Sequence, residues 1–196
     1  MEEKELPKGK RLRLSGFDYS NSGIYFITVC TKDRKKILSK IVTPRTQSVV
    51  GTGVPDCPES GVPDCPEKGV PDCPKPELTI YGMVVEKYLN QMNEFYEHIS
   101  VLNYVIMPNH IHVLLYVKDN GQSRTPVPTG IVRANSAYSK FVSTLKRFCN
   151  KEIGENIWQS RSHDHIIRNS DDYDKHLRYI LENPKNWYYD ELYSEE

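Results

Sequence analysis

Apolar and polar positions alternate, then cluster, in a pattern that divides most of the chain into strands and helices. Residues 25–31 read Tyr25-Phe26-Ile27-Thr28-Val29-Cys30-Thr31, an aromatic and β-branched run that predicts a strand. Residues 78–81 predict a short strand. Over 82–97, Val84, Val85, Tyr88, Leu89, Met92 and Phe95 recur at helical spacing. Residues 101–107 and 110–117 predict two strands turning at Pro108-Asn109, an antiparallel hairpin. A second helix over 136–151 carries a stripe of Tyr138, Phe141, Val142, Leu145 and Phe148. A further strand is expected at 165–168. The last helix is capped by Ser170 or Asp171, has acidic residues in its first turn, and stops near Asn183 because Pro184 disfavours helical geometry before it. This order predicts an α+β architecture, an antiparallel sheet with helices packed on one face.

Two stretches break the pattern. Gly53-Val54-Pro55-Asp56-Cys57-Pro58-Glu59-Ser60 recurs at Gly61 and again at Gly69. Its proline and glycine density opposes both helix and sheet, which predicts an exposed loop insertion over about 46–77. A second low-complexity loop is expected over 119–131. Loop closure grows slowly with length, so both extend surface loops of one domain spanning 1–196 rather than dividing the chain. The codons available to residues 50–58, read on the opposite strand with a one-base shift, can encode Gly-Gln-Ser-Gly-Thr-Pro-Val-Pro-Thr. Residues 121–129 match it except at Arg124. Both insertions are therefore read as translated copies of one DNA element in opposite orientations. Codon choice in the gene tests this.

Composition narrows the classes. The five cysteines lack C-x-x-C spacing, and their eight-residue recurrence fits neither a disulfide framework nor a zinc pattern. No long apolar run predicts a membrane span, and no apolar leader follows the N-terminus, so a cytoplasmic location is expected. Lys+Arg and Asp+Glu are equal at 26 each, so any nucleic-acid contact must come from local clustering. Such clusters stand at Lys8, Lys10, Arg11 and Arg13, at Lys140, Lys146, Arg147 and Lys151, and at Arg161 and Arg168. No P-loop is present.

Two segments carry candidate chemistry. In Met107-Pro108-Asn109-His110-Ile111-His112-Val113, strand alternation points His110 and His112 the same way. They form either half of a metal site or a pair of surface histidines. On the last helix, His176, Tyr179 and Asn183 share one face. A tyrosine can attack phosphorus and an amide oxygen can bind a hard cation, although a buried tyrosine before a terminal Asn-Pro is an ordinary helix feature.

Taken together, these segments resemble the HUH single-strand DNA transposases, and among them the REP-associated tyrosine transposases. The resemblance runs through Leu14-Ser15-Gly16-Phe17-Asp18-Tyr19-Ser20, Gly23-Ile24-Tyr25-Phe26-Ile27-Thr28-Val29-Cys30-Thr31 and the Val105–His112 block. It continues through Ile157-Trp158-Gln159-Ser160-Arg161 and Asp164-His165-Ile166-Ile167-Arg168-Asn169 to Tyr179-Ile180-Leu181-Glu182-Asn183-Pro184. It implies a ferredoxin-like fold, with the histidines on a central strand and Tyr179 beside them. It implies that Tyr179 is the nucleophile, that His110, His112 and Asn183 bind Mg²⁺ or Mn²⁺, and that His165 and His176 support them. Lys10, Arg11, Arg13, Lys146, Arg147, Arg161 and Arg168 are then the expected DNA-binding residues. The implied activity is nicking and strand transfer on single-stranded DNA hairpins or palindromic repeats, through a 5′-phosphotyrosine, by a monomer or homodimer. Two other classes share these features: a non-catalytic hairpin binder, and a replication initiator or relaxase. Nicking that is lost in Tyr179→Phe separates an enzyme from a binder, the missing P-loop counts against an initiator, and a variant that still nicks makes Tyr173 the next nucleophile to examine.

Overall fold

The computed structural model describes residues 22–43, 73–118 and 137–193. The elements in chain order are β1 (Gly23–Cys30), β2 (Ser39–Val42), β3 (Lys75–Leu78), α1 (Ile80–Phe95), β4 (Ile99–Ile106), β5 (His110–Val117), α2 (Ala137–Ile153), β6 (His163–Ile167) and α3 (Ser170–Glu182). The main sheet is antiparallel in the order β4-β5-β1-β6. With α1 and α2 in the connections, β1-α1-β4-β5-α2-β6 is a ferredoxin-like arrangement. The two central strands are β5 and β1.

Alternation along these strands sorts the interior into two cores. Tyr25, Ile27 and Val29 of β1, with Ile111, Val113, Leu115 and Val117 of β5, face one way. They pack on Val85, Leu89 and Met92 of α1 and on Tyr138, Phe141, Val142 and Leu145 of α2. Phe26 and Leu114 face the other way and meet Ile180 of α3 and Trp187. The α+β sheet is as expected, and the single helical face holds for α1 and α2. α3 lies on the opposite face because it follows β6 directly, with a cap at Asn169, and has no crossover to return it.

Several boundaries differ from expectation. Asn169, rather than Ser170 or Asp171, caps α3, its side-chain oxygen accepting from the Asp172 N–H at 2.8 Å. Ile80 and Tyr81, read as the end of a strand, open α1 behind the Thr79 cap. The expected loop over 46–77 ends earlier: Lys75–Leu78 is β3, and Pro76 lies opposite Ile41 of β2. Proline is tolerated there because a two-stranded ribbon leaves every strand an open edge, which asks for no N–H. Residues 46–72 of that insertion, residues 119–131, and Lys10, Arg11 and Arg13 lie outside the described residues. Gly82 sets how closely α1 seats on this ribbon, since a Cβ there would fall 2.1 Å from the Leu38 carbonyl oxygen.

Candidate functional site

The second sheet face ends in a polar cluster where β5 starts. His110 and His112 follow the Pro108-Asn109 turn, and both are buried, with ring centroids 4.5 Å apart. The neighbouring side chains fix the tautomer of one ring. Asn109 Nδ2 donates to the Leu192 carbonyl oxygen at 2.8 Å. Its Oδ1 therefore faces His110 Nδ1 at 2.7 Å, and that ring nitrogen must carry the proton. His110 Nε2 is then an unprotonated acceptor. His112 Nδ1 meets Thr28 Oγ1 at 2.9 Å, and Phe26 stacks on its ring at 5.0 Å. Burial lowers the pKa of His110 to about 4 and that of His112 well below its usual value, so both rings are neutral at pH 7.

α3 brings its C-terminal turn over the same spot. The Tyr179 ring lies 5.1 Å from that of His112 and edges Phe26 at 5.9 Å. Its hydroxyl donates to Asp190 Oδ2 at 3.0 Å. Asn183 Nδ2 donates to the same oxygen at 2.6 Å, which turns Asn183 Oδ1 away from the carboxylate. Burial, followed by the adjacent Asp190 charge, pushes the Tyr179 pKa well above the ordinary tyrosine range. Asp190 also lies within 4.8 Å of a ring nitrogen of each histidine.

Buried polar groups normally have partners, and here three of them do not: His110 Nε2, His112 Nε2 and Asn183 Oδ1. All are acceptors, or can be with His112 in the matching tautomer. Two imidazole nitrogens, an amide oxygen and a nearby carboxylate form a donor set that could hold a divalent cation. The hydrogen bonds at the far side of each imidazole are the outer support such ligands need.

A cleft of about 930 Å³ opens beside this cluster, lined among others by Phe26, Arg34, His112, Arg161, His176 and Tyr179. His176 packs near Phe26 at 4.7 Å and stacks on His165 at 4.5 Å. Asp172 holds that pair, accepting from His165 Nε2 at 2.9 Å. Tyr173 is half-buried against the α3 core and does not line the cleft.

The expected DNA-binding residues separate. Arg161 lines the cleft, whereas Arg168 is exposed outside it. Arg147 is exposed on α2 over the Phe148 ring. Lys146 is engaged within the protein: its ammonium donates to the carbonyl oxygens of Gln159, Ser160 and Arg161, and burial lowers its pKa. It positions the segment that carries Arg161. Sequence reasoning missed Thr28, Asn109 and Asp190. Thr28 and Asn109 become visible only through register and turn geometry, and nothing local distinguishes Asp190 from Glu191 beside it.

No family model matches the chain. A Haemophilus influenzae protein of unassigned function is 24% identical over 198 residues, covering 94% of this chain and 92% of its own length. A candidate REP-associated tyrosine transposase of the same organism is 28% identical over 111 residues, covering 50% of this chain and 59% of its own length. Among solved structures, a REP-associated tyrosine transposase bound to a REP hairpin superposes with a TM-score of 0.52 at 19% identity, over 87% of this chain and 72% of that one. The fold is that of a REP-associated tyrosine transposase.

Proposed function

We propose that this chain is a metal-dependent nuclease and strand transferase acting on single-stranded DNA at hairpins or palindromic repeats, through a 5′-phosphotyrosine intermediate. The observation that carries this reading is the convergence of three unpartnered buried acceptors, on His110, His112 and Asn183, beside the Tyr179 hydroxyl. The hairpin solved with the structural neighbour and the transposase name of one relative support the substrate class.

His110, His112 and Asn183 would hold Mg²⁺ or Mn²⁺, with Asp190 near enough to join them. Such an ion draws charge from the scissile phosphate and favours ionised tyrosine. The protein groups do the rest. Asp190 Oδ2 accepts the Tyr179 proton along the existing 3.0 Å bond. Tyr179 Oη attacks phosphorus in line with the departing 3′-oxygen. The Oη–P bond forms, the P–O3′ bond breaks, and the 3′-oxygen leaves as a hydroxyl after taking up a proton. Rejoining reverses these steps with another 3′-hydroxyl, so the bond energy is kept. Phe26 holds the His112 and Tyr179 rings in register, because it touches both.

The test is a denaturing gel of the full chain with end-labelled single-stranded hairpin DNA, built from the gene's own opposed segments and their flanks. A covalent protein–DNA band that needs Mg²⁺ or Mn²⁺ and is lost in Tyr179→Phe is the expected result. A band that persists in Tyr179→Phe moves the nucleophile elsewhere. Tight hairpin binding without any band shows a binder rather than an enzyme.

A further inference from the structure

The loop leaving β1 contains two consecutive non-glycine residues with left-handed backbone, Asp33 at φ 56° and Arg34 at φ 54°. Aspartate tolerates this region, since its short side chain can bond locally, but arginine does not share that advantage. Strain of this kind persists only where the surroundings over-determine it. Here they do. The Thr31 N–H donates to the Asn109 carbonyl at 2.9 Å, and the Lys32 N–H to that of Ile157 at 2.7 Å. The buried Thr31 hydroxyl faces the carbonyls of Lys35 at 2.8 Å and Asn109 at 3.0 Å. The loop is therefore fastened to the turn that starts the His110–His112 strand.

That attachment fixes where Arg34 sits. Cys30, the last residue of β1, lies opposite His110, so the loop stands at the histidine end of the sheet. Arg34 lines the same cleft as His112 and Tyr179. Guanidinium carries five N–H donors in a fork suited to phosphate. Arg34 uses one of them, in a long 3.4 Å contact with the Glu191 carbonyl oxygen. Among the described residues, no carboxylate lies within ion-pair distance of it. The other cations of the cleft are placed differently. Arg161 is exposed, and Lys175 and Arg178 sit on α3, each four residues after an aspartate, Asp171 and Asp174, so their charge is partly offset. A phosphodiester in the cleft meets in Arg34 a half-buried cation that, among the described residues, leaves most of its donors unused.

We propose that Arg34 is a phosphate-binding residue, held by its strained loop so that its guanidinium grips the phosphodiester presented to Tyr179. This rests on the single-strand DNA reading given above, and the experiment separates the two. Arg34→Ala, Arg34→Lys and Arg34→Gly are made in the full chain, and binding of a fluorescent single-stranded hairpin oligonucleotide is measured by anisotropy across a salt series. The adduct rate is followed in parallel, and Tm serves as the folding control.

Arg34→Ala is expected to weaken binding about tenfold and to make the log–log salt slope shallower by about one. Arg34→Lys restores the slope but only part of the adduct rate, because a point charge lacks the fork. Arg34→Gly unfolds no earlier than wild type, since glycine accepts positive φ, and yet it binds as poorly as Arg34→Ala. A neutral methylphosphonate at the attacked position removes the difference between wild type and Arg34→Ala. Unchanged affinity, salt slope and adduct rate in Arg34→Ala overturn the role of Arg34 and leave the proposed function standing. Weakened binding in Arg34→Ala, with no adduct from any variant, keeps the phosphate contact and overturns the catalytic reading. Wild-type protein that fails to bind the oligonucleotide overturns both.

Discussion

The two faces of the central sheet use the same strands for opposite purposes. On one face, Ile111, Val113 and Leu115 of β5 pack against α1 and α2 in a core of aliphatic and aromatic side chains. On the other, His110 and His112 of that strand are as deeply buried, but each keeps a ring nitrogen without a partner. An unsatisfied buried polar atom costs roughly 1–3 kcal/mol, so the second face gives up stability that the first supplies. The difference teaches that burial alone does not identify a core. What distinguishes the α3 face is buried acceptors without partners, grouped around Tyr179 and Asp190.

The sharpest way to break this comparison is His112→Leu. It should lower the adduct rate by ~10³ or more, the scale of losing several kcal/mol of charge stabilisation. It should change unfolding free energy in metal-free buffer by no more than ~1–2 kcal/mol, because losing the unpaired Nε2 offsets the Thr28 hydroxyl left without its imidazole partner. Urea unfolding and the gel assay read the two effects separately. Leu115→Ala reverses the pattern. It should cost ~2–5 kcal/mol of stability through a cavity on the dry face, while the adduct rate per folded molecule at low temperature stays near wild type.

Acid sharpens the contrast further. An unfolded histidine titrates near ~6.5, while burial holds folded His110 down to about 4 and His112 well below its ordinary value. Between those values the unfolded state binds more protons. Stability in EDTA should therefore be complete above pH ~6.5 and fall as pH drops toward about 4, by about 3 kcal/mol from His110 alone with His112 adding to the loss. His112→Leu should flatten that fall in a urea series against pH. The smallest effect belongs to Arg147, exposed on α2 over Phe148. Arg147→Ala should leave hairpin affinity within ~0.5 kcal/mol of wild type by anisotropy, since that position does not line the cleft.

Much of this asymmetry was legible in the sequence, and unequally so. The stripe of Val85, Leu89 and Met92 and the alternation through β5 announce the dry core, because periodicity records which side of an element faces apolar neighbours. The His110-Ile111-His112 triplet, with Tyr179 and Asn183 one helical turn apart, anticipated the α3 face, and the structure brings all four side chains together. The short ribbon of β2 and β3 was not legible: strands of four residues, with two half-buried side chains each, give too short a pattern, and Pro76 argued against a strand. Asp190 was not legible either. It reaches the site through the turn after α3, where its Oδ1 accepts from the Leu192 N–H, and no sequence period describes that path.

The most direct test is the thermal midpoint of the purified chain in EDTA and in millimolar MnCl₂, for wild type and His112→Leu. If His110, His112 and Asn183 are unpartnered because an ion completes them, Mn²⁺ raises the wild-type midpoint by linkage and leaves His112→Leu unmoved. A wild-type midpoint indifferent to Mn²⁺, or an equal rise in both proteins, contradicts the account.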